Sequence, residues 1–189
     1  MIAHVTAALL AAMAPAQQAD TTFAVDASRL EVTQLEGTIR VTGWDRDEMR
    51  VQASYDEDEG RLDIRQSGGT IHVSTKGEWG EPVYGELELS VPRSIALEFT
   101  GVSLEVGIER SAGSVSVSTA EGEIMLVGGS GIVALTAVDG PVTVAGASGK
   151  IAVNAVDGDV SISESDGAIA VTAVDGDVTL EGITSDNVS

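Results

Sequence analysis

The sequence predicts an all-β fold, a β-solenoid with 18-residue coils each made of two 9-residue halves. Three observations predict it. From Leu97 on, an apolar column recurs every nine positions: Leu97, Val106, Val115, Ile124, Val133, Val142, Ile151, Val160, Ile169 and Val178. Two residues further, a second column reads Phe99, Ile108, Val117, Leu126, Leu135, Val144, Val153, Ile162, Val171 and Leu180. A glycine column runs in step with both, from Gly113 through Gly122, Gly131, Gly140, Gly149, Gly158 and Gly167 to Gly176.

Each block therefore reads apolar-x-apolar and then a turn. The i, i+2 spacing is a strand period, with both side chains on one face. The glycines mark the bends, where a positive φ is expected. Ala137-Val138-Asp139-Gly140 recurs as Ala155-Val156-Asp157-Gly158 and Ala173-Val174-Asp175-Gly176, so the full unit has two unequal halves. The extra valines, Val138, Val156 and Val174, are expected to point inward. An antiparallel meander would also suit a half-unit of nine, but it leaves an apolar face that needs a second layer. A solenoid closes its own core, and its coils gain stability by stacking on neighbours.

The remaining chain follows in order. Residues 1–19 read as a signal peptide: an apolar run from Val5 to Met13, then Ala14-Pro15-Ala16 as an A-x-A-like cleavage site, with a cut after Ala19 as the alternative. The n-region lacks Lys and Arg. The mature chain is expected to start near Gln17, outside the cytoplasm and without membrane insertion. Residues 20–96 form an irregular β-rich N-terminal part of the solenoid, with alternating stretches at Leu30–Val32, Thr38–Val41, Met49–Ala53, Leu62–Ile64, Ile71–Val73 and Leu87–Leu89. Residues 97–189 form the regular coils. Ser185 and Asn187 stand where the columns call for Gly and an apolar residue, so either the natural chain continues past Ser189 or a partner covers this end.

Composition narrows the function. The formal charge is −20, and nine of the ten basic residues precede Ser111. No basic stripe is available for phosphates, so nucleic acid is excluded as a partner, and an anionic membrane would repel the chain. With no cysteine there are no disulfides, thiolate metal sites, thiol nucleophiles or acylated lipoprotein anchor. His72 is the only imidazole after the signal segment and lies on the solvent face of a strand, which leaves no basis for a catalytic triad. Paired carboxylates of a glycan-cleaving β-helix are the remaining enzymatic option.

Two sets of residues are candidates for binding. Asp157, Asp159, Asp175 and Asp177 stack one coil apart and offer oxygens to Ca²⁺, the one cofactor the sequence suggests. Asp-Gly is equally a good turn pair, and the G-G-x-G-x-D turn of calcium β-rolls is absent. Trp44, Trp79 and Tyr84 lie in or beside turns, where aromatics can stack on a sugar or a protein, or can cover the solenoid's end.

Three passages carry a family resemblance. Gly37-Thr38-Ile39-Arg40-Val41-Thr42-Gly43-Trp44-Asp45, Val91-Pro92 and the tandem run from Ser114 to Leu180 resemble the opening strand and turn, the mid-chain step and the repeats of the bacterial "putative adhesin" family of unknown function. The resemblance implies a right-handed β-helix on an exported protein, with no established catalytic residues. The function expected is a non-enzymatic binding module in the periplasm, at the cell surface or outside the cell. Its partner would be an unidentified glycan or surface protein. A self-assembling envelope scaffold, joined end to end, is the alternative, and a carbohydrate-active enzyme the third reading.

Overall fold

The computed structural model describes residues 17–55, 60–77 and 83–189. Helix is absent among them, and the strands join in one mixed, 18-stranded sheet. In chain order the first nine are β1 (Gln17–Ala24), β2 (Arg29–Thr33), β3 (Glu36–Trp44), β4 (Glu48–Tyr55), β5 (Gly60–Ser67), β6 (Thr70–Gly77), β7 (Tyr84–Pro92), β8 (Ala96–Thr100) and β9 (Ser103–Glu109). Then come β10 (Val115–Glu121), β11 (Ile124–Val127), β12 (Ser130–Asp139), β13 (Val142–Ala145), β14 (Ser148–Asp157), β15 (Val160–Ser163), β16 (Asp166–Asp175), β17 (Val178–Glu181) and β18 (Thr184–Val188).

The pairings resolve into two parallel stacks. In one, Leu97, Val115, Val133, Ile151 and Ile169 follow one another through β8, β10, β12, β14 and β16. In the other, Val106, Ile124, Val142, Val160 and Val178 follow through β9, β11, β13, β15 and β17. Parallel register excludes the antiparallel meander for this part of the chain, since a meander would pair each strand with its sequence neighbour. Both apolar columns face a shared interior: Phe99, Leu126, Leu135, Ile151 and Ile162 are buried, and all belong to one continuous core.

The extra valines do not join that core. Val138, Val156 and Val174 are 46%, 40% and 68% exposed, whereas Ala137 and Ala155 are buried. The reason is the strand period itself. With Val133 and Leu135 inward, strict alternation sends position 137 inward and 138 outward. Small alanines suit the narrow corner where the two stacks approach. The glycine column needs a similar refinement. Positive φ occurs from Gly122, Gly140 and Gly149 on but not at Gly113 or Gly131. At Gly113 the requirement is close approach, because a Cβ would collide with the carbonyl of Ile95.

The N-terminal region adds strands to both stacks out of chain order. β2 lies between β6 and β8, and β3 between β7 and β9. The linker from β7 to β8 therefore passes the β2–β3 coil, tied to it by Arg93 N–H donating to the Trp44 carbonyl and Ala96 N–H to that of Ser28. Antiparallel strands finish this end: β5 on β6, β4 on β7, and β1 on β4. Met49 and Val51 of β4 are fully buried, so these strands also close the core. At the other end β18 pairs only with β16, in register at Asp166↔Thr184 and then shifted by one at Ala168↔Asn187. That bulge is the structural form of the broken column at Ser185 and Asn187. Among the described residues no strand pairs beyond β17, and Val178 and Leu180 are 44% and 39% exposed.

Candidate functional site

Three surface features stand out, and each follows from which residue type fills an outward position. The first is a depression of about 240 Å³ on the β3–β9–β11 face. Its floor is Gly107, flanked in register by Arg40 on one side and Met125 on the other. A side chain at Gly107 would meet nothing within 4 Å, so the hollow exists because this outward position lacks one. Glu105, Glu109 and Glu123 line the walls, and Thr38 Oγ1 donates to Glu105 Oε2 at 3.3 Å. The hollow is shallow and holds charges of both signs.

The second feature is the corner between the two stacks, where side chains repeat as ladders. Glu121, Asp139, Asp157 and Asp175 pair in register along it. Asp159 and Asp177 form a second line just past the glycines, and Asp159 Oδ1 accepts the Asp177 backbone N–H at 2.9 Å. The structure thus brings the four predicted calcium ligands to one corner and gives one of them a role in joining two turns. Among the described residues no three His, Asp or Glu side chains converge as a metal site would require.

The third feature is the aromatic set, which is not brought together. Trp44 is half-buried at the β3–β4 turn, where its Nε1–H donates to the Glu48 carbonyl at 2.7 Å. The Arg46 guanidinium sits 4.8 Å from its ring centroid, a cation–π contact that orders the turn. Tyr84 is 58% exposed at the start of β7 and leaves its ring available. Trp79 lies outside the described residues.

Ion pairs are confined to the N-terminal half of the described chain. His72 Nδ1 lies 2.9 Å from Glu31 Oε2 on an open strand face. Arg50 binds Asp20 through two nitrogens, at 2.9 and 2.5 Å, and so ties β1 to β4. The hydrogen bond from Arg50 holds the Asp20 carboxyl below its ordinary value of 3.8, and the same bond raises Arg50. Gln34 is completely buried between β2 and β3, and its Nε2 donates to the carbonyls of Glu36 and Gly85. Sequence reasoning missed the Gly107 hollow. The signal was present: an isolated glycine inside an otherwise regular strand.

Comparison with known proteins places this architecture. A family profile described as Toastrack DUF4097 matches residues 27–186. The chain belongs to the Toastrack family. The match runs from just before β2 into β18, so the parallel stacks and the antiparallel strands β4 and β5 lie inside the Toastrack region, and β1 lies ahead of it. No curated protein matches the chain. Among solved structures, it is similar to one described as a putative cell adhesion protein from Clostridium sporogenes, at 9% identity and TM-score 0.49, covering 89% of this chain and 100% of that one. A putative adhesin from Parabacteroides distasonis is 7% identical with TM-score 0.41, covering 92% and 96%. One from Bacteroides fragilis is 12% identical with TM-score 0.37, covering 91% and 94%.

Proposed function

We propose that this Toastrack domain is a non-enzymatic, exported binding module of the cell envelope, coiled as a right-handed solenoid with 18-residue coils. One observation carries the binding reading: the repetition extends to outward positions. Inward residues must repeat for coils to pack, but outward residues have no such obligation. Here Ala134, Ala152 and Ala170 repeat on one face, and Val138, Val156 and Val174 repeat at the corner. A catalytic site needs unlike groups converging on one reacting atom. A surface on which outward columns repeat from rung to rung suits contact with an elongated partner instead. The handedness and the export rest on the family resemblance and on the apolar segment ahead of Gln17.

The test is a glycan array and a panel of envelope surface proteins probed with the mature domain, alongside an assay for reducing-sugar release. Saturable binding without turnover is expected. Turnover of a glycan would overturn the reading in favour of the enzyme, and an absence of binding to every glycan and protein would remove it. A second reading, end-to-end self-assembly, is favoured by the edge of β17, unpaired among the described residues, and its half-exposed Val178 and Leu180. Concentration-dependent light scattering distinguishes it.

A further inference from the structure

The corner ladders point to a more specific partner. Val138, Val156 and Val174 form an exposed apolar ridge running along the solenoid axis. The register pairs on either side, Ala137↔Ala155 and Asp139↔Asp157, place successive valines one rung apart. Strand propensity alone does not call for valine there, because the same strands carry alanine at outward positions 134, 152 and 170. One residue further on, Asp139, Asp157 and Asp175 run parallel to the ridge. None of these three carboxylates takes part in an ion pair among the described residues. The one base beyond Arg110 is Lys150, which lies at the opposite end of β14. The ridge is therefore apolar with an uncompensated acidic flank.

We infer that this ridge is a docking surface for a basic amphipathic helix of a polypeptide partner. The inference rests on the reading of the domain as a contact module. Charge complementarity sets the sign: lysines or arginines flanking the partner's apolar stripe would meet the carboxylate line. Spacing sets the conformation. Rungs lie about 4.8 Å apart, so three valines span about 9.6 Å. Two turns of helix rise about 10.8 Å, a mismatch of about 1.2 Å. An extended strand along the same line, with like side chains every second residue, covers about 13.4 Å and misses by about 3.8 Å. Strand addition is excluded at this corner for another reason. The backbone there is already hydrogen-bonded from rung to rung, as in Gly140 N–H to the Asp157 carbonyl and Gly158 N–H to that of Asp175. A partner can engage only side chains, which an amphipathic helix does with its apolar stripe.

Two synthetic peptides of identical composition test this with the mature domain. One places leucines at i, i+3, i+4 and i+7 with lysines flanking the stripe; the other alternates leucine and lysine. Fluorescence anisotropy should give at least about tenfold tighter binding of the helical isomer. The V138S/V156S/V174S variant should lose that preference while keeping its melting temperature. The D139N/D157N/D175N variant should weaken binding and flatten its salt dependence. Equal affinity for the two isomers would reduce the effect to general polyanion attraction and overturn the proposal. An unchanged preference in the serine variant would do the same. The peptide comparison on the unmodified domain decides the matter even if a variant fails to fold. If neither peptide binds, the helix proposal falls, while the wider binding reading is decided by the glycan and surface-protein panel.

Discussion

Two glycine-to-alanine substitutions on this scaffold should have very different costs. Gly158 has φ near +147°, outside the left-handed helical well, and stacks on Gly140 of the preceding rung. A Cβ there would sit 2.7 Å from the Gly140 carbonyl carbon and 3.2 Å from its nitrogen, and closer still to its carbonyl oxygen. Bringing the carbon contact alone to an ordinary 3.4 Å requires opening the rung by about 0.7 Å (3.4 − 2.7). That stretches the bonds joining the two rungs, from Gly140 N–H to the Asp157 carbonyl, 2.9 Å, and from Val142 N–H to that of Asp159, 2.9 Å. A strained backbone conformation costs about 1–3 kcal/mol, and each weakened hydrogen bond about 1 kcal/mol. Gly158→Ala should therefore lose about 3–5 kcal/mol. Gly146 has φ near +65°, and a Cβ would meet nothing within 4 Å. Gly146→Ala should lose only about 1–2 kcal/mol, the left-handed penalty of an L-residue. Equilibrium urea unfolding followed by far-ultraviolet circular dichroism measures both. If the two variants lost the same stability, rung-to-rung backbone contact would not be what the glycine column provides.

Three further outcomes are expected. Val153→Asp should prevent folding or lose at least about 4 kcal/mol, because Val153 is buried and a charge there has no partner; the exposed neighbour substitution Asn154→Asp should change stability by less than about 0.5 kcal/mol. The Asp20–Arg50 pair should hold β1 at neutral pH and release it in acid: the folded Asp20 value is depressed, so its contribution is present above the ordinary 3.8 and is lost as pH falls through the lowered folded value. Hydrogen exchange of β1 amides should show less protection in Arg50→Ala than in the unmodified protein at pH 7, with the difference closing in acid; a constant difference would rule the pair out. Millimolar Ca²⁺ should leave the melting temperature unchanged, since one of the four corner aspartates already accepts a backbone N–H and, among the described residues, no three carboxylates converge. A calcium-dependent rise abolished by Asp157→Asn would instead assign the corner to the metal.

The candidate sites were legible in the sequence to different degrees. The corner aspartates recur at the repeat spacing, so their stacking could be read directly. The exposed ridge is visible in the sequence as a valine column, but its composition alone points to the wrong side. Hydrophobicity argued for the interior, and only alternation counted from Val133 and Leu135 gives the correct face. Trp44 stood out as an aromatic beside a turn, yet its ring is engaged by Arg46 and its N–H by Glu48, contacts that depend on the turn's three-dimensional path.

The nine-residue columns by themselves determined that this part of the chain forms strands, which face of each strand turns inward, and where the turns fall, because those properties depend on local alternation and on glycine's backbone freedom. Tertiary structure alone decided the order of stacking: β2 and β3 slipping between strands that follow them in sequence, and β1, β4 and β5 turning antiparallel to close one end. Any strand with one apolar face could satisfy any free edge. The choice among edges is made by chain connections such as the short β7–β8 linker and by buried links such as Gln34, whose partner carbonyls lie 2 and 51 residues away along the chain.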